Sequence, residues 1–291
     1  MSLRIIVLAK QVPDTRNVGK DAMTPQGTVN RAALPAIFNP DDLLALEQAL
    51  QLKDQNPGST VTMLTMGPPR AAEIIRQGLY RGADNGYLLS DRAFAGADTL
   101  ATSYALSMAI KKIGDFDLII GGRQAIDGDT AQVGPQVAQK LGIPQITYVQ
   151  EIQQCGNGKI RVQRHIDGGV ETVEAPLPAL LTINGDATPC RPQNAKLVMK
   201  YKRAMAPMEM PKDGNIPYKE EYEEKPYLTL GQWNTDDVNA DKTQCGLSGS
   251  PTKVKAVKNI SFKAKESKVM TSSDEDIESL IQELLANNTI G

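Results

Sequence analysis

The chain has 291 residues, of which 41% are hydrophobic and 4% aromatic, and its formal net charge is -2. This length fits one large α/β domain with appendages or two small domains. The balance of 32 basic and 34 acidic residues gives no support for nucleic acid as the main ligand. No apolar run approaches the ~20 residues that span a bilayer. The first ten residues lack the features of a signal peptide. A cytoplasmic protein without membrane insertion is therefore expected.

The cysteines and the single histidine limit the kinds of site that the chain can build. Cys155, Cys190 and Cys245 are far apart and odd in number, so they predict neither a disulfide framework nor a zinc site. Because His165 is the only histidine, a Ser-His-Asp triad or a multi-histidine metal site is possible only around that residue. No metal site and no catalytic side chain are predicted.

Strand and helix patterns alternate through residues 1–150, which is typical of a parallel α/β sheet. Strands are predicted at 3–9, 61–65, 86–89, 116–120 and 146–149. Helices are predicted from Asn39 to about residue 55, and at 70–80, 99–113 and 131–141. In the first helix, Asn39 suits the N-cap and Pro40 the first helical position, where a missing N–H is harmless.

The pattern changes after residue 150. Residues 159–165 and 170–174 alternate with period two around Asp167-Gly168-Gly169, which predicts a hairpin, and 179–183 reads as a buried strand. The following chain is rich in Pro, Lys and Glu. We therefore divide the protein into an α/β domain, 1–190, and an extended arm, 191–291.

A last amphipathic helix closes the arm. Ser272 and Glu275 have the spacing of a capping box, and an apolar stripe follows them. The stripe comprises Ile277, Leu280, Ile281, Leu284 and Leu285. Periodicity alone leaves two surfaces for this stripe to cover, the domain's own or that of a partner subunit.

Ligands of open parallel sheets bind beyond the carboxyl ends of the strands. Four segments fall there: 9–14, 66–69, 90–99 and 121–133. In 90–99, Arg92 and the free N–H groups of a helix start suit a phosphate, although this segment taken alone favours a plain loop capped by Asp98 or Thr99.

Segment 121–135 is the richest in polar groups. Thr130 and Gln132 suit a phosphate, while Asp127 and Asp129 suit ribose hydroxyls or an adenine amino group. Neither G-x-G-x-x-G nor G-x-x-x-x-G-K-[ST] is present, so the usual Rossmann NAD site and the P-loop are not expected.

The run V-Q-R-H-I-D-G-G-V-E-T-V at 162–173, continuing through Pro178 to Thr182, carries a resemblance. It is similar, position by position, to the signature of electron transfer flavoprotein β subunits, and the resemblance extends over nearly the full chain. It implies an open, Rossmann-like sheet that binds an adenine nucleotide. It also implies a heterodimer with an α subunit that carries FAD.

The family contains two kinds of β subunit. Ordinary members hold AMP, whereas electron-bifurcating members hold a second FAD that is reduced by NADH. Three segments resemble the bifurcating kind: 91–99, 128–135 and 246–252. The implied electron acceptors are ferredoxin or flavodoxin and, through the α-subunit FAD, an acyl-CoA dehydrogenase. The alternatives are an ordinary member with AMP and, in another class, a nucleotide-sensing module like the universal stress proteins.

The resemblance assigns the cofactor contacts to the strand-end segments and to the start of the first helix. They are Ala9, Asn39, Pro40, Asp41, Asp42, Met66, Arg92, Phe94, Gly96, Ala97, Asp98, Thr99, Gly122, Arg123, Gln124, Ala125, Ile126, Asp127, Gly128, Asp129, Thr130, Ala131, Gln132 and Val133.

The segment 191–200 resembles the loop by which the family recognises dehydrogenases. Ala195 occupies the place of a leucine anchor that is frequent in the family, and Leu197 is close by. The Lys and Arg residues between 196 and 203 are compatible with a docking surface or with plain solvated charge.

Overall fold

In the computed structural model, the described residues are 2–14, 35–211, 218–252, 268–287 and 289–290. They belong to two compact units, Met1–Lys255 and Ala256–Gly291. Among these residues, no helix has the length and the apolar character needed to cross a membrane.

Strands and helices alternate in the first part of the larger unit, as predicted. The elements are β1 (Arg4–Leu8), β2 (Gln11–Pro13), β3 (Ala36–Phe38), α1 (Pro40–Gln55), β4 (Thr60–Met66), α2 (Ala72–Leu79), β5 (Asn85–Leu89), α3 (Thr99–Ile113), β6 (Leu118–Gly122) and α4 (Val133–Leu141). The elements after them are β7 (Gln145–Gly156), β8 (Lys159–Ile166), β9 (Gly169–Pro176), β10 (Ala179–Ile183), α5 (Ala195–Tyr201), α6 (Lys219–Glu224) and β11 (Gly231–Trp233).

A nine-stranded sheet runs through the unit in the order β11-β5-β4-β1-β6-β10-β7-β8-β9. The pairs from β11 to β7 are parallel, and only β7–β8 and β8–β9 are antiparallel. The predicted open parallel sheet with an added hairpin is thus confirmed. A small antiparallel pair, β2–β3, was not predicted.

The side chains of β1 show how the helices cover both faces of the sheet. Ile5 and Val7 pack with buried residues of α1 and α2, whereas Ile6 and Leu8 pack with those of α3 and α4. Parallel strands that are buried on both faces read as continuous apolar runs, which is why the strand ends were visible in the sequence.

The direction in which successive strands are added to the sheet reverses between β1 and β6. From β1 the chain passes through α1 to β4, on one side, and from β6 it passes through α4 to β7, on the other. In open α/β sheets, ligands bind beyond the carboxyl ends of the two strands at such a point. Ala9 and Gly122 lie at this point.

The hairpin is present with the predicted turn. Ile166 pairs with Gly169, and Gly168 in the turn has φ 83. His165 is exposed on β8, one residue before the turn. Strand β7 extends to Gly156, well beyond the predicted 146–149, because its second half pairs with β8 and faces solvent on one side. That half has no apolar run to reveal it.

The described residues 191–211 and 218–252 belong to the larger unit and pack on its sheet and helices. The backbone N–H of Arg191 and its Nε both donate to Glu47 Oε2 of α1, at 2.9 Å. Tyr201 is buried in the same apolar cluster as α1, and Trp233 of β11 stacks on Tyr87 of β5 with ring centres 4.0 Å apart. The domain boundary at residue 190 stays a prediction.

The smaller unit contains α7 (Asp274–Ala286). Its N-cap is Ser273, whose Oγ accepts the N–H of Asp276 at 3.3 Å, so the capping box predicted for Ser272 and Glu275 is wrong by one residue. In the first turn, Asp276 Oδ2 also accepts the hydroxyl of Thr271 at 2.6 Å. The apolar stripe is exposed at Ile277, Leu280, Ile281 and Leu285.

Candidate functional site

Asp42 fastens the first turn of α1 to the ends of β1 and β6. Its Oδ2 accepts the N–H of Lys10 at 2.8 Å, and its Oδ1 accepts the N–H of Gly122 at 3.0 Å. Burial raises the pKa of this carboxyl to about 7, although the two backbone donors act in the opposite direction. One buried side chain therefore fixes the relative positions of the ends of β1 and β6 at the reversal point.

Asn39 does not act as the capping side chain that its position predicts. It occupies the N-cap without any side-chain cap hydrogen bond. Its amide instead binds the loop after β6: Nδ2 donates to Gln124 O at 2.8 Å, and Oδ1 accepts the N–H of Ile126 at 3.2 Å. Because Asn39 is fully buried, it holds that loop against the start of α1.

The two acids of the loop already have one partner each. Lys10 Nζ lies 2.7 Å from Asp127 Oδ1, and Gln124 Nε2 donates to Asp129 Oδ1 at 2.8 Å. Asp129 and Ala131 have φ of 48 and 52, a conformation that alanine rarely adopts. Such backbone conformations concentrate at ligand sites, where neighbouring contacts hold them.

Asp41 and Arg123 face each other with unsatisfied atoms. Asp41 Oδ2 and Arg123 Nε are 3.8 Å apart, and both are buried without a hydrogen-bond partner among the residues that the structure describes. Burial raises the pKa of Asp41, while the charge of Arg123 opposes this rise. A polar ligand group between them would satisfy both atoms.

Tyr148 is a site residue that the sequence analysis missed. Its ring centre lies 5.9 Å from the Arg123 guanidinium, and its φ is 59 at an irregularity in the pairing of β7 with β10. Bulges of this kind re-aim side chains beside active sites. The only available signal was an aromatic residue near the end of a predicted strand, which is too common to single out.

The loop after β5 is capped, as the plainer interpretation predicted. Asp98 is the N-cap of α3 and accepts the N–H of Ala101 at 3.0 Å. Phe94 is buried in the core, so it supports the loop from behind. Arg92 is exposed in the short 3-10 helix Arg92–Phe94, and its side chain makes no hydrogen bond or ion pair within the described parts of the chain. A capped helix start and a free arginine thus occur in one loop.

The amino ends of α3 and α4 lie side by side. Thr99 Oγ1 donates to Gln132 Oε1 at 2.8 Å, and Ser103 Oγ of α3 donates to Gln136 Oε1 of α4 at 3.1 Å. Gln132, the N-cap of α4, provides no capping side-chain bond. The first N–H groups of a helix lack intrahelical partners and attract anions. Two such ends together suit a diphosphate better than a single phosphate.

The predicted site residues therefore fall into two groups along one edge of the sheet. Ala9, Asn39–Asp42 and 122–127 surround the reversal point. Arg92, 96–99 and 130–133 surround the paired helix ends, and 127–130 connects the groups. Met66 lies between them at the end of β4, which pairs with both β1 and β5.

Comparison with known proteins gives a consistent result. The family model described as "Electron transfer flavoprotein domain" matches residues 26–207. The caffeyl-CoA reductase-Etf complex subunit CarD of Acetobacterium woodii is 46% identical over 252 residues, which are 87% of this chain and 86% of that protein. The electron transfer flavoprotein subunit beta of Megasphaera elsdenii is 45% identical over 261 residues, 88% of this chain and 87% of that one. The acryloyl-CoA reductase electron transfer subunit gamma of Anaerotignum propionicum is 42% identical over 293 residues, 99% of this chain and 100% of that one.

Proposed function

Since this chain belongs to the electron transfer flavoprotein family, as a β-type subunit that acts in electron transfer, we propose that it binds FAD and takes part in electron bifurcation. The observation that carries this proposal is the meeting of the amino ends of α3 and α4. They lie beside the residues at the reversal point, Asn39, Asp42 and 122–127, which we call the adenylate cradle. AMP has one phosphate and would need one of these ends. FAD has a second phosphate, for which the other end supplies further N–H groups.

The reversal-point group suits the adenylate half of the cofactor. Asn39 and Asp42 hold the backbone of the loop after β6 in place, so its remaining N–H and C=O groups are fixed before binding. The unsatisfied atoms of Asp41 and Arg123 would bind a ribose hydroxyl or a ring nitrogen. Fixed donors and acceptors lower the entropic cost of binding a nucleotide.

The helix-end group suits the pyrophosphate. The Arg92 side chain is exposed and has no partner in the described segments, so its charge is available to a phosphate oxygen. Burial raises the pKa of the Asp98 carboxyl, but backbone and hydroxyl donors lower this pKa overall, so the group stays negatively charged and the Arg92 charge is needed beside it.

When bound, FAD would supply the redox chemistry, namely hydride acceptance from NADH and transfer of single electrons. This chain's residues bind and orient the cofactor, and we assign no general acid or base among them. One electron would go to ferredoxin or flavodoxin. The other would go through the FAD of an α subunit to an acyl-CoA dehydrogenase.

Two exposed features suit these partners. The apolar stripe of α7 would pack on the α subunit. In α5, Asn194 caps the helix, and Ala195 and Met199 are exposed, which gives a rigid surface for a dehydrogenase. Two relatives are named for caffeyl-CoA and acryloyl-CoA reductase complexes, which supports a dehydrogenase of CoA thioesters as the partner. Partners of this kind support a cytoplasmic location.

Cofactor analysis of the purified heterodimer tests the proposal. We expect denaturation to release two FAD per heterodimer, and we expect NADH to bleach the β-site flavin directly. One FAD and one AMP would instead identify an ordinary member of the family. Release of ATP or AMP without any flavin would favour a nucleotide-sensing module and would contradict both versions.

Arg92→Ala is expected to weaken FAD binding about tenfold to a hundredfold, because a charge-assisted hydrogen bond contributes ~1.5–3 kcal/mol. AMP affinity and the melting temperature should not change, since the side chain is exposed and unpaired within the described residues. Calorimetric titration with FAD and with AMP measures both affinities. Arg161→Ala, at an exposed position on β8, is the matched control. Unchanged FAD affinity in Arg92→Ala would remove Arg92 from the site.

A further inference from the structure

Residues 231–252, here called the belt, run along the loop that joins β5 to α3. At one end of this loop, β11 of the belt pairs with β5, and the N–H of Ser90 donates to Trp233 O at 2.9 Å. Asp91 Oδ2 accepts the N–H of Thr235 at 3.1 Å and its Oγ1 at 2.7 Å. The start of the loop is thus fixed by the belt and not only by its own strand.

A second attachment fixes the other end of the loop. The N–H of Asp98 donates to Ser250 Oγ at 2.8 Å, and that hydroxyl donates to Gly246 O at 2.7 Å. Asp98 Oδ2 accepts Thr252 Oγ1 at 2.7 Å, while its Oδ1 caps α3. The same carboxylate therefore caps the start of α3 and binds the belt. The position of the α3 amino end thus depends on Ser250 and Thr252.

Between these attachments, backbone lies directly against backbone. Gly246 has φ 52, and a Cβ there would lie 2.2 Å from Ala93 O. The N–H of Leu247 donates to Ala95 O at 3.0 Å. Because only glycine fits at 246, the belt is seated closely over the middle of the loop.

The adenylate cradle is independent of the belt. The side chains of Asn39 and Asp42 bind the ends of β1 and β6 and the loop after β6. Within the described residues, neither side chain has a hydrogen bond to 231–252. A change in the belt should therefore reach only the helix-end half of the site.

We propose that the belt is a specificity determinant: through Ser250, Thr252 and Asp98 it positions the amino end of α3 for the second phosphate of a dinucleotide. This inference rests on the proposed function, since it concerns the half of the site that distinguishes FAD from AMP. Ser250 and Thr252 are positioning residues, and they act on the ligand through Asp98 and the helix end.

Removal of single hydroxyls in the full-length chain tests the proposal. For Thr252→Val and Ser250→Ala, we expect the dissociation constant for FAD to rise roughly tenfold, and that for AMP to change less than about threefold. Calorimetric titration with FAD and with AMP gives both constants. Thr252→Ser keeps the hydroxyl and should restore FAD affinity. Thr243→Val is the matched control, because the Thr243 hydroxyl binds Asp241 inside the belt and not the loop.

The possible results distinguish failure of the inference about the belt from failure of the proposed function. Equal losses of FAD and AMP affinity would show a general structural role and overturn the inference. The inference would also be overturned if Thr252→Val and Ser250→Ala bound FAD as tightly as the unchanged chain does. If the unchanged chain bound AMP but not FAD, the proposed function would fail, and the inference with it.

Discussion

Gly122→Ala is expected to destabilise the protein by about 3 kcal/mol and to abolish nucleotide binding. A Cβ at this position would lie 2.5 Å from Asp42 Oδ1 and 2.6 Å from the carbonyl carbon of Asp41. The backbone of α1 cannot yield without breaking the Asp42 hydrogen bonds that join the ends of β1 and β6. We expect a fall in melting temperature of roughly 6–9 °C, measured by calorimetry on the ligand-free chain.

The matched control for this change is Gly185→Ala. Gly185 lies just after β10, the strand that neighbours β6, and a Cβ at this glycine would meet nothing within 4 Å. Its melting temperature should therefore stay close to that of the unchanged chain. If Gly122→Ala melted at the same temperature as Gly185→Ala and still bound AMP, the close packing of α1 on the β6 end would not be needed for the site.

Asp42→Asn is expected to remove a pH dependence from the stability of the ligand-free chain. The carboxyl pKa is raised by burial from 3.8 to about 7, so between these values the folded chain binds a proton that the unfolded chain does not. Stability from this group is complete below the unfolded pKa and is lost as pH rises through about 7. Between about pH 5 and about pH 8, the unchanged chain should lose about 3 kcal/mol relative to Asp42→Asn.

Denaturant unfolding at several pH values measures this difference. Asp115→Asn, at a side chain that is 87% exposed, is the control and should run parallel to the unchanged chain. A constant difference between Asp42→Asn and the unchanged chain across the pH range would mean that Asp42 carries the same charge in the folded and unfolded states. The Asp42 side chain would then be an ordinary ionised carboxylate.

Much of the fold was predictable because its strands are buried on both faces. Apolar runs such as 116–120 indicate buried strands directly, and Asn39-Pro40 indicates a helix start without any knowledge of the tertiary structure. The place of β10 was not predictable. It lies between β6 and β7, parallel to both, although a whole hairpin separates it from β7 in the chain. Local patterns contain no information on such long-range pairing.

The position of the candidate site was predictable to the extent that it follows strand ends. The loops after β1, β5 and β6 were selected as candidates because carboxyl ends of parallel strands meet at one edge. The roles of individual side chains were not. Asn39 reads as a cap and acts as a cross-link, since its partner Gln124 is distant in sequence. Tyr148 depends on a bulge that the neighbouring strand imposes.

The late position of β10 in the chain has a consequence for biosynthesis. The N–H of Arg123 donates to Ile183 O at 2.9 Å, so the loop after β6 is supported by a strand that leaves the ribosome some sixty residues later. Until then β6 is an open edge, able to pair with the wrong strand. The nascent chain therefore carries the cradle's polar groups well before it acquires the neighbour that holds them, and chaperone capture or early hairpin formation would matter most in that interval.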